Sequence, residues 1–225
     1  FLYRLSQEQL SKALFPLGDY TKHEIRQLAK DFGLPNATKK DSQGLCFIGQ
    51  VPMKEFISQW LTPKVGPITN EAGVIIGQHQ GVHLATIGAK VSVDNQVLAK
   101  INPEIKHELP HYYVAKKDLA TNTLVAVPGH DHALLFSSNA MLIDFHYLEG
   151  DLAKEGDRAK QVEEIQNRDF MARIRHGGEL ISCRLSFSDN LMTVNFSKPV
   201  RAITPGQHIV LYNSDDTVLG GGIIA

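Results

Sequence analysis

The sequence predicts a mainly β protein with an N-terminal α-helical segment, a small β-rich central domain and a C-terminal β-barrel. Three observations predict it. Helix caps and apolar residues at three- and four-residue spacing are confined to the first third. From about Gly66 onward, Gly, Asn and Asp turns separate short apolar runs, which is the all-β pattern. The last stretch alternates apolar and polar residues over many short runs, and that many short strands suggests closure into a barrel. The chain accordingly divides into 1–51, 52–112 and 113–225.

Taken in order, Ser6 and Gln9 make a capping-box pattern ahead of Leu10, Ala13 and Leu14, and Pro16 with Gly18 ends that helix. Thr21 and Glu24 cap a second helix carrying Ile25, Leu28, Ala29 and Phe32, stopped by Gly33 and Pro35. A third helix starts near Pro52, a favoured first-turn residue, and ends before Pro63. Its Met53, Phe56, Ile57 and Trp60 share one side and read as core rather than as a cofactor box. Residues 36–50 form a loop between the second and third helices. Residues 90–110 show no clear period. Tyr112–Ala115 and Leu124–Val127 read as strands joined by a turn at Ala120–Asn122, and the charged stretch 150–167 reads as an exposed excursion. Ile181, Cys183, Leu185 and Phe187 fall on one strand face, as do Met192, Val194 and Phe196 after a turn at Ser188–Asn190. Ile209–Tyr212 and Val218–Ile224 complete the set.

Composition excludes several classes. With 225 residues, 43% of them hydrophobic, the chain can bury one large core or two modest ones. The formal net charge is -1, so any contact with nucleic acid must come from a local patch. Two cysteines do not make a disulfide scaffold and suit a reducing cytoplasm. No apolar run approaches the roughly 20 residues that span a bilayer, and the N-terminus lacks signal-peptide features. The first residue is Phe1 rather than Met, which reads as a cut or processed chain.

Cys46 is the first chemical candidate. It follows Gly44 in a loop that holds Lys39 and Lys40. Nearby cations favour the thiolate, which is the nucleophile, while the flanking Leu45, Phe47 and Ile48 equally suit a small buried hydrophobe. Cys183 sits at an inward strand position and reads as structural. His79 and His83, and His130 and His132, have no third ligand in view, and the glycines at 77, 81 and 88 make a poor helix, so no bound metal is expected. Gly220–Gly222 reads as a bulge or bend in a strand, not a phosphate cradle. Arg173 and Arg175 would share a strand face, either as phosphate contacts or as a solvated surface.

These segments together resemble one family. Lys40-Asp41-Ser42-Gln43-Gly44-Leu45-Cys46-Phe47-Ile48-Gly49 is similar to the signature around the second catalytic cysteine of the MnmA/TrmU tRNA 2-thiouridylases. Phe1-Leu2-Tyr3 with Leu5–Leu10, Gly77–Gly81, Thr86-Ile87-Gly88, Thr204-Pro205-Gly206-Gln207 and Leu219–Ile224 resemble further family segments in the same order. The resemblance implies a tRNA-modifying sulfurtransferase, with residues 1–51 as the helical tail of an ATP-pyrophosphatase-like catalytic domain. It implies that Mg-dependent ATP adenylates the C2 oxygen of the wobble uridine and that a Cys46 persulfide supplies the sulfur. A second cysteine then ends in a disulfide with Cys46. It further implies that Arg175, His176 and Gln207 contact tRNA, that a relay protein donates the sulfur, and that the setting is cytoplasmic.

The chain departs from the family pattern. The Ser-Gly-Gly-Val-Asp-Ser type ATP loop and the first catalytic cysteine do not occur in it. The chain alone is therefore expected to be inactive in thiolation, with its ATP site lying elsewhere in a full-length parent. Ala89-Lys90 and Gly177-Gly178 replace the usual Gln-Arg and Arg-Gln. A non-catalytic tRNA-binding barrel and a thiol or sulfur-relay protein are the alternatives.

Overall fold

The computed structural model describes residues 2–40, 49, 51–101, 110–148, 168–188 and 191–225. The chain forms two compact units, Gln7–Thr62 and Phe1–Ser6 with Pro63–Ala225.

The first unit is helical. α1 spans Gln7–Ser11, α2 Lys22–Asp31 and α3 Met53–Ser58. The capping box predicted for α2 is present. Glu24 N–H donates to Thr21 Oγ1, and Thr21 N–H donates to Glu24 Oε2 at 2.7 Å. The Thr21 hydroxyl also donates to Glu24 Oε2 at 2.7 Å, and it, with the Thr21 N–H, holds the Glu24 carboxyl below its ordinary range. α1 is shorter than its apolar spacing suggests. The helix gives way at Lys12, residues 13–15 have no regular structure, Pro16 and Gly18 lie in a turn over 16–19, and Leu14 is 91% exposed. Nor does the stripe on α3 form a core. Trp60 stands 66% exposed, with the Phe56 ring edge-on to it. A single amphipathic face buries nothing without a second layer, and no described side chain of this unit is buried.

The second unit holds a sheet and a barrel. The sheet takes β1 (Gly66–Thr69), β2 (Ile75–His79), β3 (Lys90–Val91), β4 (Tyr112–Asp118) and β5 (Thr123–Pro128). Their order is β2-β1-β5-β4-β3. β1 and β5 run parallel, and the other pairs are antiparallel. Both strands predicted between residues 112 and 127 thus belong to this sheet, so the expected division at 112/113 runs through it. The aperiodic stretch from 90 contains β3 and a helix, α4 (Asn95–Ile101). Asp94 Oδ1 accepts from the Gln96 and Val97 amides at the start of α4, and Leu98 is buried. Ile68, Ile76, Val82, Leu98, Val114 and Leu124 form the sheet's core.

The barrel is closed, as the alternation predicts. Its strands are β6 (Phe136–Tyr147), β7 (Asp169–Arg173), β8 (Ile181–Ser188), β9 (Leu191–Arg201), β10 (His208–Tyr212) and β11 (Val218–Ile224), in the order β10-β11-β6-β9-β8-β7. β7 pairs with β10 and shuts the ring, which leaves no free edge. Alternate residues fill it: Phe170, Cys183, Leu185, Val194, Ile209 and Leu211 are all buried. Register shifts occur in β11 between Gly221 and Ile223, near the predicted glycine bend. Gly221 has a further use. A Cβ there would meet the Tyr3 ring at 2.8 Å, so its lack of a side chain seats Tyr3, which is 4% exposed. The Tyr3 hydroxyl is hydrogen-bonded to His208 Nδ1, and Arg4 pairs with Asp144 at 2.7 Å.

Candidate nucleic-acid interface

β9 ends at Arg201, and the next residue, Ala202, is left-handed with φ 57° and is buried. Its N–H donates to the Leu135 carbonyl at 2.7 Å. Its carbonyl accepts from Arg175 Nη2 at 3.0 Å and from Thr204 Oγ1 at 3.0 Å. Thr204-Pro205-Gly206-Gln207 then forms a turn closed by Gln207 N–H to the Thr204 carbonyl at 3.1 Å. Proline second and glycine third with φ 84° is the pattern of a type II turn. The turn is held beside β11, where Gly206 N–H donates to the Ile224 carbonyl at 2.9 Å and Ile224 N–H donates to the Gln207 carbonyl at 2.8 Å. Two of the three residues expected at tRNA, Arg175 and Gln207, are therefore joined through one short segment, 202–207. His176 is exposed beside Arg175. Gln207 Oε1 is buried without a hydrogen-bond partner among the described residues.

Arg173 and Arg175 do not lie side by side on a strand. β7 stops at Arg173, whose Nε donates to the Gly178 carbonyl at 3.1 Å while its guanidinium sits 5.3 Å from the Tyr212 ring centre. Gly178 N–H donates back to the Arg175 carbonyl, and Gly177 turns the chain with φ 70°. Arg175 lies beyond the end of β7, and its side chain reaches the Ala202 carbonyl rather than sharing a strand face with Arg173.

Arg201 carries no signal in the sequence reading, yet it joins the sheet to the barrel. Its Nη2 donates to the Gly88 carbonyl at 3.0 Å and its Nε to the His130 carbonyl at 3.0 Å. Its guanidinium lies 5.3 Å from the Tyr113 ring centre. The only cue would have been its place just before Thr204–Gln207. Gly88 has φ 81°, and a Cβ on it would run into the Ala202 Cβ. The Thr86-Ile87-Gly88 segment is also held from the sheet side. Gly88 N–H donates to the Val114 carbonyl at 2.7 Å, and Lys117 Nζ donates to the Ala85 carbonyl at 2.9 Å. Burial lowers the pKa of that lysine. A cleft beside this segment is lined by Gln78, Gln80, Thr86 and Lys90, bringing the two central motifs together.

The charge of this region follows from those bonds. Arg173, Arg175 and Arg201 each bond a backbone carbonyl, and among the described residues none has a carboxylate within ion-pair distance. A carbonyl orients a guanidinium without cancelling its charge. Oriented and uncompensated, Arg173 and Arg175 suit phosphate oxygens, while Arg201 spends Nε and Nη2 on the His130 and Gly88 carbonyls.

Cys46 lies outside the described residues. The chain leading to it is tied to α2, because Arg26 Nη1 donates to the Lys39 carbonyl at 3.1 Å. Cys183 is 2% exposed, and burial, with Asp169 adding to it, pushes its thiol up to about 12. His79 Nδ1 accepts from Gly81 N–H and its Nε2 donates to the Asn122 carbonyl, both at 3.0 Å, which makes it structural. His132 accepts from Leu134 N–H, and His130 faces Asp131 in solvent. Among the described residues, no three His, Cys, Asp or Glu side chains gather at one point, and no helix is long and apolar enough to cross a membrane. The start of α2 is not an open phosphate cradle, because Glu24 fills it.

Comparison with known proteins bears on the whole chain. Residues 1–50 match the tRNA methyl transferase HUP domain, residues 54–128 the tRNA methyl transferase PRC-barrel domain, and residues 153–224 the aminomethyltransferase beta-barrel domain. The tRNA-specific 2-thiouridylase MnmA of Janthinobacterium sp. (strain Marseille) is 39% identical over 224 residues, which is 100% of this chain and 56% of that protein. The protein of the same name from Francisella tularensis subsp. tularensis (strain WY96-3418) is 39% identical over 225 residues, 100% of this chain and 58% of that protein. The chain thus spans little more than half the length of these curated relatives.

Proposed function

The chain belongs to the MnmA/TrmU family of tRNA-specific 2-thiouridylases, and on that premise we propose that it serves to install 2-thiouridine at the wobble uridine of tRNA. The observation that carries this reading is the whole-chain likeness to the 2-thiouridylases, with Cys46 inside the matched HUP segment. The domain descriptions speak of methyl transfer. The thiol at Cys46, in a loop with two lysines, favours sulfur transfer instead.

In this reading the parts have separate tasks. Arg175, His176 and Gln207 hold tRNA at the barrel, Arg175 on a phosphate and His176 by stacking or donating. Cys46 carries a persulfide loaded by a sulfur-donor relay protein, and its outer sulfur attacks C2 of the uridine. ATP with Mg supplies the activation, making the C2 oxygen leave with AMP. In this reading the chain works within a full-length parent in the cytoplasm, and that parent binds the ATP. A second cysteine of that protein then attacks the Cys46 sulfur of the base-linked disulfide, so that the S–S bond breaks, the outer sulfur stays on C2 and a disulfide with Cys46 forms. The carbonyl-anchored arginines also support a narrower reading, a tRNA-binding barrel without chemistry.

The test uses the full-length protein, tRNA from thiolation-deficient cells, ATP with Mg, a persulfide-bearing protein as sulfur donor and a thiol reductant, with the nucleosides analysed by mass. ATP-dependent 2-thiouridine is the expected result. Methylated uridine, or thiolation without ATP, would overturn the reading.

A further inference from the structure

Arg201 leaves the last position of a barrel strand but spends its hydrogen bonds on the sheet. Its two carbonyl acceptors belong to segments far apart in sequence, Gly88 and His130, and its flat face covers Tyr113. The Tyr113 and His130 rings meet edge to face at 5.6 Å, so the groups around the guanidinium brace one another. The residue that follows, Ala202, offers the carbonyl on which Arg175 rests. Fixing Arg201 therefore fixes the backbone that aims Arg175.

We propose that Arg201 is a positioning residue for tRNA, acting through Arg175. The proposal rests on the reading that the barrel binds tRNA. Its physical basis is the geometry of the guanidinium. Nε and Nη2 are rigid relative to each other and can serve two carbonyls at once, while the plane lies against an aromatic face. A lysine has the same charge but a single flexible point of attachment. With Arg201 in place, residues 201 and 202 are strapped to Gly88, His130 and Leu135 before RNA arrives. The ordering cost of the Arg175 contact then falls on folding rather than on binding. Without it, the Ala202 carbonyl and Arg175 move together, and the phosphate contact weakens although its charge remains.

A residue that merely adds charge and one that positions another give different signatures. A direct phosphate contact contributes about one unit to the slope of log affinity against log salt, whatever else is mutated. A positioning residue leaves the slope nearly unchanged and loses its effect once its client is removed, because coupled residues are non-additive.

The experiment measures binding of unthiolated tRNA to the full-length protein across a salt series. The proteins are unsubstituted, Arg201→Lys, Arg201→Gln, Arg175→Ala, and Arg201→Lys combined with Arg175→Ala. Thermal melting checks that each is folded, and hydrogen exchange follows the Gly88 amide. Arg201→Lys is expected to weaken binding roughly fivefold with Arg175 present and less than about twofold without it, a coupling well within the usual range. The salt slope should hold for Arg201→Lys, and Gly88 should exchange faster. Arg201→Gln should behave like Arg201→Lys if geometry rather than charge is lost. Equal losses in both backgrounds, full binding by Arg201→Lys, or a slope lower by about one unit would each overturn the proposal. Failure of the unsubstituted protein to bind tRNA at low salt would instead overturn the tRNA reading, and faster Gly88 exchange in Arg201→Lys would then still identify the clasp.

Discussion

Replacing Gly88 by alanine tests the junction between sheet and barrel. Two costs add. With φ 81°, an L residue at 88 is held in the left-handed region, at about 1 kcal/mol or slightly more. The new methyl also collides with the Ala202 Cβ and comes within 3.2 Å of Arg201 Nη1. Overpacking of this kind costs about 1–3 kcal/mol. Gly88→Ala should therefore destabilise the sheet and barrel by about 2–4 kcal/mol. Ala202→Gly is the informative partner. It removes the methyl that collides and relieves the φ of 57° at 202, while exposing nothing, because Ala202 is 1% exposed. Loss of one buried methyl, about 0.8 kcal/mol, roughly offsets the relief, so Ala202→Gly alone should stay within about 1 kcal/mol of the original. The double variant should recover about 1–3 kcal/mol of the Gly88→Ala loss as a coupling energy. Urea unfolding should be followed by far-ultraviolet circular dichroism, because the single tryptophan, Trp60, lies in the helical unit and reports on the wrong part. A coupling below about 0.5 kcal/mol would refute the contact between Gly88 and Ala202.

Three further outcomes follow. Arg175→Ala should weaken tRNA binding and reduce the salt slope by about one unit, and an unchanged slope would remove Arg175 from the phosphate backbone. Cys183 should resist iodoacetamide in the folded protein and react in urea, while Cys46 alkylates first. The same burial makes Cys183 disfavour high pH. Its thiol is raised, so the neutral form is the stable native one. That contribution is whole below about 9 and is lost as pH climbs toward about 12, which alkaline unfolding of Cys183→Ala against the original would show as a reduced loss.

The barrel was legible because a half-buried strand must alternate. Ile181, Cys183 and Leu185, and Met192, Val194 and Phe196, all point inward as their spacing requires. The cap on α2 was legible because Thr21 and Glu24 satisfy each other locally. The helical core was not. Apolar spacing at Phe56 and Trp60 marks a face that prefers burial, but whether a second layer covers it is a tertiary matter. Helix α4 escaped notice because Asn95–Ile101 offers little amphipathic contrast, and its cap is an aspartate inside an otherwise aperiodic stretch. The sequence predicts strands β4 and β5 but places them in the barrel. Adjacent strands pair as a hairpin wherever they go, and only the parallel pairing of β5 with β1 says which sheet receives them. The site divided in the same way. The motifs at Arg175–His176 and Thr204–Gln207 are legible, but their meeting at the Ala202 carbonyl is a tertiary contact, and Arg201 is legible only through the carbonyls it reaches.

The central claim is that Cys46 carries sulfur to tRNA. It is tested most directly by the 2-thiouridine content of tRNA in thiolation-deficient cells given either the full-length protein or its Cys46→Ser variant, both shown to be expressed and folded. Recovery of 2-thiouridine with the first and its loss with the second is the predicted result. Recovery with both would contradict the role of Cys46. Recovery with neither would contradict sulfur transfer itself and leave a barrel that binds tRNA without modifying it.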